Sequence, residues 1–335
     1  MAVSKYSYLA FVILLMGYVL SVFHRLTVAI MADCLMADMR INALQLGVLT
    51  AVYFYPYAFM QFPVGILADR IGPRRLVSGM LLVTAMASVA FSMAENFYFA
   101  VVARLIIGLS VSFVFVPTQK FIATNFPPSM FATLVGFLPF AGMLGGISAS
   151  VPLAYLVNFF GWRMVFLFLG VATAVLALGV WLLVPEQPDH KSSPLATAGQ
   201  VRGSAGSKTK VPGLIASLKA VVSEWGLWPI AIRNFFSYGS LMAFQSLWAG
   251  PYLMIIIGVD RISAGYLLML MSIGQLITAP FSGYFSERIM KSRKIPGIIS
   301  AYGLVLFWMP FAFWGQHLTP VQIGALFFST GFGPE

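Results

Sequence analysis

Two ionisable residues, His24 and Arg25, stand side by side near the middle of an apolar run from about Tyr8 to Cys34. A third, Arg104, lies a few residues inside another run at 97 to 119. A charge at the centre of a bilayer costs from ~3 kcal/mol on insertion scales to more than ~10 kcal/mol in simulations, so each is a functional candidate. A guanidinium grips a carboxylate or phosphate through two parallel hydrogen bonds. Asp33 lies nearer the end of the first run, and the other carboxylates fall in loops or at the edges of apolar runs. Two permanent cations and a titratable imidazole, with no deep carboxylate to neutralise them, favour a bound anion over a bound cation. The chain has no metal-ligand spacing, no nucleophile with a histidine partner and no phosphate loop, so neither an enzyme nor a cofactor is expected.

Helical spacing groups these residues with neutral polar ones. In the first run Tyr18, Ser21, Arg25, Ala29 and Ala32 share a face, a narrow polar stripe suited to a cavity wall. Tyr53, Tyr57 and Gln61 follow at successive i+4 positions, and Asn234, Tyr238 and Gln245 share one face further on. Each has a second reading. Arg25 can be a strut locked to backbone carbonyls or to Asp33; His24 is a proton-coupling group if it faces water and a packed neutral imidazole if it does not. The tyrosines can be packing aromatics, and Arg104 reads as a structural or coupling residue before a substrate contact.

The elements that position them are membrane helices. Hydrophobic residues make up 60% of the 335, charged ones 9%, and the mean hydropathy is +0.90, a composition a soluble globule could not carry on its surface. Apolar runs near 8 to 34, 45 to 67, 76 to 94, 97 to 119, 131 to 157 and 163 to 184 predict six spans; none alternates as a β-barrel strand does. The first is too long for the core of a cleaved signal peptide. Pro185 to Val211 is rich in Ser, Pro, Gly and bases and reads as a linker; Pro212 to Glu224 can form a short interfacial helix. Further spans are expected near 227 to 257, 263 to 286 and 296 to 315, with a tenth beginning at Pro320. The domains expected are a six-helix half at 1–184, a linker at 185–226 and a second half at 227–335. With the N-terminus inside, Lys5, Arg70, Arg74, Arg75, Lys120 and the linker bases lie on the cytoplasmic face, and only Arg40, Arg163 and Arg261 lie outside. A basic inner face thus accounts for the net charge of +10 without nucleic acid.

Between the second and third runs stands Gly65-Ile66-Leu67-Ala68-Asp69-Arg70-Ile71-Gly72-Pro73-Arg74-Arg75. Its glycines permit close helix approach and a tight turn, and Asp69 lies near the start of the next helix, where a carboxylate is favoured. Gly65-x-x-x-Asp69-Arg70 recurs as Gly283-x-x-x-Glu287-Arg288 at the corresponding end of the second half. The stretch resembles the loop motif of the major facilitator superfamily. Arg104 with Gly108 four residues on, and Gly161-Trp162-Arg163, resemble further family elements. The resemblance runs from about residue 8 to the end. It implies an all-α protein of two six-helix halves that carries solutes by alternating access, with Gly65 to Arg75 fastening the inner ends of the halves in the outward-facing state. Two features depart from the pattern: Pro127-Pro128 run into Ser129-Met130-Phe131 where an arginine is usual, and the Gly-Pro pair of drug antiporters is missing, with Pro139, Gly142, Gly145 and Gly146 spaced differently.

The expectation is therefore a monomeric secondary transporter of a small organic anion in a bacterial inner membrane, resembling organic anion and sugar-phosphate permeases. The solute is a carboxylate or phosphate ester, with a proton or sodium ion as coupling partner. The seventh span, from Asn234 to Gln245, has no arginine past Arg233, where organophosphate permeases place a second one, which sets a monocarboxylate at least level with a phosphate. The competing classes are a transport-inactive sensor or scaffold and a drug or cation exporter. The family plan has twelve spans, so a fragment ending in the tenth is expected.

Overall fold

The computed structural model describes residues 5–186, 223–284 and 294–329. The linker and the repeat residues Glu287 and Arg288 lie outside these described residues, while Gly283 ends up within a helix whose local surroundings there are not described.

The apolar runs become helices α1 (Lys5–Met39), α2 (Ala43–Ile71), α3 (Pro73–Ser92), α4 (Phe97–Val111), α5 (Phe115–Asn125), α6 (Pro128–Ser148) and α7 (Val151–Leu183). After the linker come α8 (Trp228–Ala243), α9 (Arg261–Tyr284), α10 (Lys294–Trp314) and α11 (Pro320–Ser329). Among the described residues, five helical stretches are long and apolar enough to cross a membrane. Large apolar side chains such as Tyr55, Phe59, Phe159 and Leu182 stay exposed on their outer faces, as lipid-facing residues do.

Local chemistry sets the helix ends. Asn42 and Gln45 form a reciprocal cap: the Asn42 side chain accepts from the Gln45 amide at 2.9 Å, and the Gln45 side chain accepts from the Asn42 amide at 3.0 Å. Asn96 caps α4 through the Phe99 amide at 2.9 Å. Gly72 has φ +85, a conformation costly for any residue with a Cβ, and it turns α2 into α3 with Pro73 at the first helical position.

Three expected spans are irregular, each at a proline. The fourth, expected at 97 to 119, extends to Asn125 and breaks at residues 112–114, because Pro117 has no amide for the Phe113 carbonyl and its ring crowds that oxygen. The fifth, expected as one run from 131 to 157, stops at Ser148, four residues before Pro152; the chain then restarts at Val151 and turns back at Gly161, φ +75. α8 continues through π turns at Phe244–Trp248 and Tyr252–Ile256 on either side of Pro251, which absorb the missing hydrogen bond without ending the span.

The chain crosses back and forth, so the bundle has two ends. One, the motif face, carries Lys5 and Gly65 to Arg75; the other, the far face, carries Arg40, Arg163 and Arg261. A large apolar cluster joins the halves towards the far face, with Leu35, Leu49 and Phe166 continuous with Leu253, Met271 and Phe327. A second cluster, including Phe11, Leu14, Val77, Phe121 and Val180, comes wholly from the first half.

Candidate functional site

Arg25 and Arg104 enter the interior from α1 and α4, and two tyrosines of α2 stand between them. The Arg104 guanidinium is 4.7 Å from the Tyr53 ring centroid. Tyr53 and Tyr57 stack with centroids 6.2 Å apart, and the Arg25 guanidinium lies 5.1 Å from the Tyr57 centroid. The i+4 spacing places both rings on one face, and ring faces attract cations by roughly 0.5–2 kcal/mol each. The Tyr53 hydroxyl donates to the Ser21 carbonyl at 3.2 Å, so α2 is tied to α1 at the level of the site.

The two arginines have different surroundings. Arg104 is fully buried, and its Nη1 and Nη2 donate to the carbonyls of His24 at 2.8 Å and Arg25 at 3.4 Å. It pins α4 to the stretch of α1 that carries the site, which is the structural reading of this residue. Gly108, one turn on, makes that crossing possible: a Cβ there would sit 2.2 Å from the Tyr53 carbonyl oxygen. Arg25 is 8% exposed, and none of the ion pairs among the described residues involves it. The alternative in which Asp33 locks it is therefore corrected, since Asp33 pairs with Arg261. Tyr18, Tyr53 and Tyr57 of the first half and Tyr238 of the second are the phenols within electrostatic reach of its guanidinium.

Other members of the expected wall separate. His24 is fully buried against Phe166, ring centroids 6.4 Å apart, and neither ring nitrogen has a protein hydrogen-bond partner. The stripe does not line a cavity throughout. Ser21, Ala29 and Ala32 are buried, and Gly250 presses on Ala29 so closely that a Cβ would overlap its carbonyl oxygen; helical spacing identified the face but not what covers it. On α2, Tyr57 and Gln61 are half-buried. On α8 the predicted face divides: Asn234 and Tyr238 are exposed, while Gln245, at the first π turn, is buried.

At the motif face the charges pair within the first half or with Glu186 at the start of the linker. Lys120 Nζ lies 2.7 Å from Asp69 Oδ1 and 2.8 Å from the Ala68 carbonyl. Arg75 pairs with Glu186; Arg74 lies 3.9 Å from the same carboxylate and 4.9 Å from the Trp181 ring centroid. Arg70 is exposed, and nothing comes within 4 Å of a Cβ built on Gly65, so the close approach expected there is not made in this conformation. The pairings of Lys120, Trp181 and Glu186 with the motif escaped sequence reasoning because each partner is distant in sequence and chosen only by packing.

A bundle of long apolar helices enclosing a cationic, tyrosine-lined site between two halves is a polytopic membrane transporter fold. Residues 9–334 match the Major Facilitator Superfamily, and the chain belongs to that family. It is 24% identical over 249 residues to the uncharacterized transporter YybO of Bacillus subtilis, an alignment covering 74% of this chain and 57% of that protein. It is 21% identical over 293 residues to a hexuronate transporter of the same organism, covering 88% and 67%. Among solved structures, a bacterial homolog of the human lysosomal transporter Spinster superposes with a TM-score of 0.72 at 20% identity, over 99% of this chain and 74% of that one. The chain spans little more than half the length of the first of these relatives.

Proposed function

We propose that the protein moves a small organic anion by alternating access, with Arg25 as the group that holds the anion's charge. The observation that carries this reading is a buried guanidinium between the halves with no carboxylate counter-ion among the described residues. Arg25 Nε and the Ser21 hydroxyl also lack protein partners. An unmet buried donor costs roughly 1–3 kcal/mol, a cost an anion's acceptor oxygens relieve. Arg104, held by backbone carbonyls, leaves Arg25 as the arginine for one negative group, which favours a carboxylate over a doubly charged phosphate. The similarity to a hexuronate transporter supports the same class. We infer that residues 1–184 and 227–335 are the two moving halves and that the motif face, with Lys5, Arg70, Arg74, Arg75 and Lys120, is cytoplasmic.

Uptake of labelled hexuronates, other monocarboxylates and phosphate esters into proteoliposomes, by the wild type and by Arg25→Gln, tests the reading. Losing two charge-assisted hydrogen bonds at roughly 1.5–3 kcal/mol each should reduce carboxylate uptake by about 100-fold or more. Carboxylate uptake at the wild-type rate in Arg25→Gln overturns the assignment.

A further inference from the structure

Arg261, at the start of α9, reaches from the second half into the first. Its Nη2 donates to Asp33 Oδ2 at 2.6 Å and to Cys34 Sγ at 2.7 Å, both on α1. Its Nη1 donates to Asn158 Oδ1 on α7. One fork thus ties three helices, and it is well shielded: the side chain is 13% exposed, against 41% for Asp33. On sequence alone these were an outward loop base and a carboxylate near a membrane edge.

We propose that Arg261 is the latch that holds the far face of the transporter shut, and that its release from Asp33 and Asn158 accompanies opening of the site towards that face. The proposal rests on the alternating-access reading but not on which anion is carried. The rest of the far face is also closed. Gly250 meets Ala29, Gly265 meets the backbone at Ser150 and Val151, and Gly146 lies so near Ser272 that a Cβ would be 2.6 Å from its hydroxyl. All three are contacts between halves, and the apolar cluster that crosses between halves lies at this level. At the motif face, by contrast, Asp69 pairs inside the first half and Arg74–Arg75 pair with Glu186 at the start of the linker, so none of these pairs reaches the second half. The glycine contacts carry no charge; the charged fork is the element with two discrete states, made or broken. Arginine suits the role because its planar fork holds a carboxylate and an amide oxygen together, which a lysine ammonium does not reproduce.

The test uses accessibility and needs no solute. Cys34 is the chain's one cysteine, so a Cys34→Ser background allows Tyr57→Cys, beside the site, to report which face is open. A membrane-impermeant maleimide applied from each side of oriented vesicles should label this cysteine readily from the motif face and slowly from the far face. Adding Arg261→Gln should raise far-face labelling about tenfold, within the range of conformational couplings between sites, and lower motif-face labelling. The exchange Asp33→Arg with Arg261→Asp should restore slow far-face labelling. Unchanged labelling from both faces in inserted Arg261→Gln protein overturns the latch. If that variant fails to insert, the exchange pair decides: inserted protein with fast far-face labelling despite the restored pair overturns the proposal equally. Loss of anion uptake in Arg25→Gln with latch behaviour intact, or the reverse, separates this inference from the anion assignment.

Discussion

Substituting alanine for Gly108 is the sharpest test of how the site is held together. The new Cβ would lie 2.2 Å from the Tyr53 carbonyl oxygen and 2.7 Å from its Cα. Both are backbone atoms, so no side-chain rotation relieves the overlap. Restoring an ordinary contact of about 3.4 Å needs α2 and α4 to separate by about 1 Å. Overpacking of this kind costs roughly 1–3 kcal/mol, while alanine gains about 1 kcal/mol over glycine in a helix; the net cost is about 0–2 kcal/mol, towards the upper end because both overlapped atoms are backbone. The displacement falls on Tyr53, which stacks against Arg104 and Tyr57. Gly136→Ala is the control, since nothing lies within 4 Å of a Cβ there, and the propensity gain should stand alone. Thermal unfolding in detergent should place Gly108→Ala about 1–3 °C below the wild type and Gly136→Ala at or above it. Uptake should fall with Gly108→Ala even where folded protein is recovered. A Gly108→Ala melting point equal to that of Gly136→Ala would refute the close crossing and the positioning of Tyr53 through it.

Two further outcomes follow from charged residues at helix ends. Asp69→Asn removes an ion pair whose carboxylate is 66% exposed, worth less than about 1 kcal/mol to folding; insertion should stay intact while transport falls, and wild-type uptake would exclude a gate role for the motif. Asp260 caps α9, accepting from the amides of Ile262 at 3.0 Å and Ser263 at 3.2 Å, and hydrogen bonding from the Ser263 side chain is the foremost cause holding its carboxyl below the usual carboxylate value. A depressed folded value means the cap's contribution is present above the ordinary carboxylate pKa and is lost as pH falls through the folded one. Protection of the Ile262 and Ser263 amides, measured against the intrinsic exchange rate at each pH, should therefore drop at acid pH in the wild type, persist in Asp260→Asn and be weak at every pH in Asp260→Ala; equal protection in all three would remove the cap.

The depth of Arg25, the apolar runs, the turn at Gly72 and the loop motif were all legible in the chain, because each depends on neighbours within a turn or two. Hydropathy marks what enters a bilayer, and a glycine between two spans marks where the chain must turn sharply. The helix breaks were visible in principle as Pro117 and Pro152, yet apolar runs continue across them and hydropathy cannot register a missing amide. Arg104, only a few residues into its run, already read as structural before substrate-contacting, but nothing in the sequence showed what it holds. Packing against the α1 carbonyls made it a brace, and the space between the halves left Arg25 facing the phenols. The stripe of α1 shows the same limit: spacing placed Ala29 beside Arg25, and contact with Gly250, more than two hundred positions away, covered it.

The sequence by itself determined a helical membrane protein of this family with a deep cation, since composition, period and local turn chemistry act over short stretches. Only the tertiary structure decided which carbonyls Arg104 braces, that Arg25 has no carboxylate partner among the described residues, and that Arg261 meets Asp33 and Asn158 across the two halves. Those choices depend on which faces of distant helices come together, and a guanidinium takes its partners from the neighbours that packing supplies.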